Sequence, residues 1–209
     1  MMSDLASTEI IQLLENPGNK GYFIKRRIRE KALVGEIIKA LESSTTSRVR
    51  QILCDILGER HAEAALPVLI KCLDDPSPDV RSSAADALAK IHNPSAGGAL
   101  MRRFIKQEED MGVRRMLAAA LGAVSYRPAI GPLIEALTDP DGGLRGSAAW
   151  SLGALRATEA VGTLRQALEH ETNSYATTRM KEALETINGS ANSLNQIQVM
   201  AQEPELVPA

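Results

Sequence analysis

The sequence predicts an all-α fold: an α-solenoid of about five helical hairpins behind an atypical N-terminal helical cap. Three observations predict it. One segment recurs along the chain, each copy places its apolar residues at helical spacing, and alanine and leucine supply the core in place of aromatics.

The recurring segment reads VRQILCDILGER from Val49, VRSSAADALAKI from Val80, VRRMLAAALGAV from Val113 and LRGSAAWSLGAL from Leu144. A fifth copy, ATTRMKEALETI from Ala176, lacks the arginine, and successive starts lie 31, 33, 31 and 32 residues apart. That is the period of a two-helix repeat. Counting each start as position 0, the apolar residues fall at 0, +4, +8 and +11, as in Val80, Ala84, Leu88 and Ile91. At about 100° per residue these lie at about 0°, 40°, 80° and 20°, one narrow stripe of an α-helix. The first copy departs at its end, where Arg60 stands at +11.

Taken in order, residues 1–31 form the cap. Its two apolar stretches, Ile10, Ile11, Leu13 and Leu14, then Tyr22, Phe23, Ile24 and Ile28, do not fit the repeat register. Residues 32–187 form the repeats. In each, a first helix precedes the recurring segment: EIIKAL ends at Leu41, VLIKCL at Leu73, LIEALT surrounds Leu137 and LRQAL ends at Leu168. Turn formers such as Asp74-Asp75-Pro76-Ser77-Pro78 and Asp139-Pro140-Asp141-Gly142-Gly143 separate the two helices. One hairpin cannot bury both its faces, so the hairpins stack. Asn188-Gly189 predicts a helix stop, and residues 188–209, which carry no Lys or Arg, are expected to be disordered, with Leu194, Ile197 and Met200 spaced to dock as a short helix.

Composition narrows the function. The 209 residues carry 24 Lys+Arg against 26 Asp+Glu, net −2, which removes the electrostatic footprint of a sequence-independent nucleic-acid binder. The one basic run, Lys25 to Lys31, is read as a solvated cap helix, so nucleic acid is not the expected partner and nucleic-acid binding through this helix stands as a second alternative. No long apolar run suggests a signal peptide or membrane span, and a cytoplasmic protein is expected. Cys54 and Cys72 both fall within apolar helical patterns and read as small buried hydrophobes. His61, His92 and His170 lie in turns of different repeats, and no HExxH, GxSxG, Walker or GxGxxG motif is present. Neither a metal, a cofactor nor a catalytic side chain is expected.

The residues LDDPSPDVRSSAADALAKI and LTDPDGGLRGSAAWSLGAL resemble the HEAT-repeat family, in particular its phycobilisome-lyase-like subtype with a D-x-x-V-R-x-x-A-x-x-A-L-G pattern. The resemblance implies a right-handed superhelix whose second helices line its concave side. It also implies that the arginine at +1 (Arg50, Arg81, Arg114, Arg145) is a ladder residue bonding the neighbouring repeat's turn rather than an anion site. The HEAT-type dinuclear iron hydroxylases use several His-Glu pairs, and this chain has one, His170-Glu171.

Opposite the buried stripe lie positions +2, +6 and +9, and these are expected to form the inner wall. They read Gln51, Asp55, Gly58; Ser82, Asp86, Ala89; Arg115, Ala119, Gly122; Gly146, Trp150, Gly153; Thr178, Glu182, Glu185. The lone tryptophan, Trp150, stands at +6 among glycines, as an interface anchor or as a filler between repeats. With Arg115, Asp86, Asp55, Glu182, Gln51, Ser82 and Thr178 it makes the candidate surface for a protein or peptide partner, with a second HEAT subunit as one such partner. The family also implies an alternative, a bilin lyase subunit in which Trp150, Asp86 and Arg115 cradle an open-chain tetrapyrrole.

Overall fold

The computed structural model describes residues 5–16, 21–106 and 109–200, and those residues are helical with no strand among them. Six helical hairpins follow one another. The first helices are α1 (Ser7–Glu15), α3 (Val34–Ser43), α5 (Leu66–Cys72), α7 (Gly97–Phe104), α9 (Ile130–Glu135, continued by a 3-10 turn Ala136–Thr138) and α11 (Val161–His170). The second helices are α2 (Gly21–Lys31), α4 (Ser47–Glu59), α6 (Pro78–Ile91), α8 (Met111–Ala123), α10 (Gly142–Ala154) and α12 (Ser174–Met200), and all but α2 carry the recurring segment. The protein is an all-α solenoid.

The chain forms two compact units, Met1–Ala129 and Ile130–Ala209. In the first, α2, α4, α6 and α8 pack side by side in chain order, with α1 and α3 adjacent behind them. Val49, Leu53, Leu57, Val80, Leu88, Leu117 and Leu121 of the predicted stripe are buried there. In the second, α10 packs on α12, and α9 and α11 cover them. Leu144, Leu152, Met180 and Ile187 are buried. Each fully buried leucine contributes roughly 1.5–3 kcal/mol, so the stripe accounts for most of what holds neighbouring hairpins together.

The second helices end alike. His61, His92, Ser125 and Arg156, each twelve residues after a segment start, take left-handed backbone angles with φ of 48°, 57°, 56° and 50°. At Arg156 the amide donates to Gly153 O at 2.9 Å and the amide of Ala157 to Leu152 O at 3.0 Å, and the same pair of bonds recurs at His61 and Ser125. These bonds satisfy the last carbonyls of the helix and turn the chain into a short 3-10 segment that opens the next hairpin. The His61 and His92 rings both donate from Nδ1 to the Lys90 carbonyl, at 2.6 and 2.7 Å. Both histidines are thus structural closures of helix ends.

One boundary differs from expectation. Helix α12 passes through Asn188 and Gly189 to Met200, because the preference of Asn and Gly against helix is weak and an established helix overrides it. Residues 201–209 lie outside the described residues, as do the side chains of Leu194, Ile197 and Met200. The cap is itself a hairpin, broken from α3 at Ala32 and Leu33, where Arg60 Nη1 donates to the Ala32 carbonyl at 2.5 Å. Of its second apolar stretch Ile28 is buried, whereas Tyr22 and Phe23 stand exposed and meet edge to face.

Candidate partner-binding wall

The arginines at +1 hold repeats together. Arg50 grips Asp75 through both Nε and Nη2, at 2.7 and 2.9 Å, and donates from Nη1 to the carbonyls of Ser44 and Thr45. Arg145 does the same with Glu171 and the carbonyls of Asp139 and Pro140. Arg81 bonds Glu109 and the carbonyls of Asp75 and Pro76. In each case the guanidinium ties its own hairpin's turn to an acid in the following turn, a bidentate charge-assisted clasp. Arg114 lays its guanidinium over the Phe104 ring, 5.9 Å from the centroid.

The clasps set the charge state of their acids. Burial pushes the Glu109 carboxyl up, but hydrogen bonds from Arg103, Arg81 and the Asp110 amide outweigh it and hold the group below the usual carboxylate range. Arg145 holds Glu171 low, against a smaller opposing effect of burial. Burial raises Asp75, and Arg50 with the Ser77 amide pulls it below its ordinary value.

The exposed strip of the second helices is rotated from the predicted arc. Gly58, Gly122 and Gly153 at +9 are buried, as is Gly146 at +2. A Cβ on Gly58 would lie 2.6 Å from Ala87 Cα, and one on Gly153 would lie 2.9 Å from Ala183 Cα. Position +9 of one helix therefore packs on +7 of the next, since a helix in a stack is covered on two flanks as well as on its core stripe. The strip left open is centred on +6 and on the residue preceding the segment start.

The predicted wall residues divide accordingly. In the first unit Gln51, Asp55, Ser82 and Asp86 are half-buried and Arg115 is exposed. Gln51 accepts from Arg48, at 3.2 Å, and Asp86 is paired with Lys90 at 2.5 Å. Asp55 is taken by the cap: Lys25 Nζ sits 3.3 Å from it and 3.0 Å from Glu59, which Arg29 also contacts at 3.0 Å. Burial would lower the Lys25 ammonium, but Glu59 and Asp55 more than offset this and hold it above its ordinary value. Two cations of the basic run, Lys25 and Arg29, thus pair with acids of α4, while Arg26, Arg27 and Lys31 remain exposed.

In the second unit Trp150 keeps 37% of its surface exposed. Tyr175, which the predicted arc missed, lies across Gly146 and is 46% exposed. Arg179 stacks over the Tyr175 ring at 5.4 Å from its centroid and pairs with Glu182 at 2.9 Å. Thr178 is exposed and donates from Oγ1 to the Ser174 carbonyl at 2.9 Å. Contacts Gly146 to Ala176 and Gly153 to Ala183 share one offset, so α10 and α12 run parallel in register. That register sets Trp150 level with Met180, one residue beyond Arg179. Tyr175 and Arg179 stand at −1 and +3 of the fifth segment, outside the arc of +2, +6 and +9.

Among the described residues no group of three or more His, Cys, Asp or Glu is placed to hold a metal ion. No helix among them is long and apolar enough to cross a membrane. Cavities of about 420 Å³ beside Arg145 and His170, and about 330 Å³ beside Arg50 and Cys72, open where an inter-helix turn meets the following first helix.

A family model of HEAT repeats matches residues 35–111 and 99–185. The chain belongs to the HEAT-repeat family. No curated protein matches it. Among solved structures this HEAT chain is similar to the CpcE–CpcF complex of phycocyanin lyase from Nostoc sp. PCC7120, at 20% identity and TM-score 0.58 over 72% of this chain and 96% of that one. It is also similar to Escherichia coli YibA, at 18% identity and TM-score 0.65 over 89% and 74% of the two chains. Against Kap121p bound to Pho4p the identity is 16% and the TM-score 0.62, over 92% of this chain and 25% of that one. These likenesses concern the fold.

Proposed function

We propose that this HEAT-repeat protein is a non-catalytic scaffold that holds a partner protein or peptide along the exposed strip of its second helices. The observation that carries the reading is Trp150, a large aromatic kept 37% exposed on α10, whose neighbour α12 carries the exposed Tyr175 with Arg179 stacked on it. Aromatic and arginine side chains in such a setting are the residue types that dominate binding energy. Trp150, Tyr175, Arg179, Thr178 and Glu182 form the anchor group of the second unit, and Arg115, Ser82 and Asp86 are the wall residues of the first. The structural relatives add support of a general kind, since the Kap121p structure holds Pho4p and CpcE is in complex with CpcF.

The test is capture of partners from native lysate on wild type and on a Trp150→Ala/Tyr175→Ala variant, with thermal unfolding of both. The reading expects a protein retained by wild type and lost by the variant, with melting temperatures within a few degrees. Equal capture by both baits sinks it. The bilin-lyase alternative draws on fold likeness alone, and an absorbance shift on adding an open-chain tetrapyrrole would be required to favour it.

A further inference from the structure

Three cavities open at corresponding places in different hairpins, each where an inter-helix turn meets the following first helix. Lys71, Cys72 and Asp75 line the one beside Arg50. Arg102, Arg103 and Lys106, each 31 residues further along, line a cavity of about 130 Å³ in the first unit. Gln166, Ala167 and His170, each 64 residues beyond those, line the one beside Arg145. The repeat itself therefore demands no charge at these three positions. Arg103 has a folding role, since its Nε donates to Glu109, which Arg81 also grips. Arg102 and Lys106 have none of that kind.

Charge in this cavity is unbalanced. Its described lining sets three cations against one acid, Asp74. The Arg50 cavity sets Arg50 and Lys71 against Glu42, Asp74 and Asp75, and the Arg145 cavity sets Arg145 and His170 against Asp139 and Glu171. Asp74 is itself a loose counter-ion: its side chain is 73% exposed, 3.3 Å from Arg103 Nη1 and 3.6 Å from Lys106 Nζ. Pairs so open to water hold weakly. Arg102 makes no ion pair among the described residues. The three cations end α7, whose dipole of about half a negative charge favours a cation there and opposes an anion. One cation answers that dipole, as Lys71 does in the last turn of α5, and three leave an excess.

We infer that this cavity is a binding site for a phosphoryl group, held by Arg102, Arg103 and Lys106 in place of Asp74. A phosphate monoester brings three acceptor oxygens and a charge of about −1.5 to −2 at neutral pH, and free phosphate is similar. Glu109 fixes the Arg103 guanidinium from its Nε side and leaves Nη1 turned to the cavity. Planar guanidinium donors match phosphate oxygens, and the Lys106 ammonium adds a point charge on a flexible stem. Ile70, Leu73 and Ala99 give the cavity an apolar floor, which strengthens the attraction by keeping water from one side. The site shares no residue with the partner-binding strip.

The experiment titrates the full chain with inorganic phosphate, and separately with a phosphoserine peptide and its unphosphorylated form, by calorimetry at fixed ionic strength. Wild type is expected to bind one phosphoryl group per chain. Arg102→Gln/Lys106→Gln should weaken that binding about 10-fold or more, the worth of two charge-assisted hydrogen bonds. Both residues are exposed, so the variant should melt as wild type does. Arg26→Gln/Arg27→Gln removes the same charge from α2 and should change the affinity by less than about 2-fold. Asp74→Asn should tighten binding by about 3-fold or more, since it removes the carboxylate that competes for the same donors. Equal affinity for phosphate and phosphopeptide would identify the free anion as sufficient, and a much tighter phosphopeptide would identify a phosphorylated chain as the source. No saturable binding of either probe overturns the inference, as does an equal loss in both double variants or weaker binding by Asp74→Asn.

Discussion

Glu109 is the residue whose burial and charge are most sharply opposed. Its side chain is fully covered and meets both Arg81 and Arg103. Removing the negative charge leaves two guanidinium groups without their shared counter-ion, a change that typically costs about 3 kcal/mol or more. Glu109→Gln is therefore expected to lower unfolding free energy by about 3 kcal/mol near neutral pH, measured by urea denaturation. The pH dependence follows from the direction of the shift. The folded pKa lies below the unfolded value of about 4.3, so the contribution is present above that value and is lost as pH falls through the folded pKa. The gap between wild type and variant should shrink from about pH 4 downwards. A gap constant to strong acid would assign the loss to packing. The resemblance set the arginine column against the neighbouring repeat's turn, but the acids it grips there, and the reach of Arg103 into the Glu109 carboxylate, depend on a tertiary arrangement that no spacing shows.

At the scale of the helix, the stripe at 0, +4, +8 and +11 was legible because burial repeats with the helical period. Its flanks were not. A wheel drawn for one helix assigns +9 to the side away from the core, yet Gly58 and Gly153 at that position take the neighbouring helix at backbone distance. The glycines that suggested a hollow around Trp150 are there because α10 and α12 approach too closely for a Cβ. This predicts that Gly58→Leu costs about 1–3 kcal/mol, since a side chain would have to displace the Ala87 backbone and not merely a flexible neighbour. Thermal unfolding reads it directly, and a melting temperature equal to wild type would show that α4 and α6 can move apart without loss. The same rotation explains why Tyr175 and Arg179 escaped the sequence reading while Trp150, at the centre of the true strip, did not.

For the molecule as a whole, fold and partner differ in how strongly folding constrains them. The repeat period is written in five segments and the clasp recurs in three of them, at Arg50, Arg81 and Arg145. An exposed strip is constrained by a partner absent from the sequence, and residues such as Asp55 look free until the cap is in place. The cap offers a test of this distinction. Lys25 and Arg29 lie against Asp55 and Glu59 with about a third to a half of each cation still exposed to solvent, so their attraction should be modest and sensitive to salt. Lys25→Glu/Arg29→Glu converts attraction to repulsion at the same contacts and is expected to lower stability by roughly 1–2 kcal/mol at low ionic strength. Raising the salt should recover much of that difference, because added ions weaken like-charge repulsion over these distances. If the loss is unchanged by salt, the cap is held by Ile28 and its apolar neighbours, and Asp55 and Glu59 are free to meet a cationic partner on the wall.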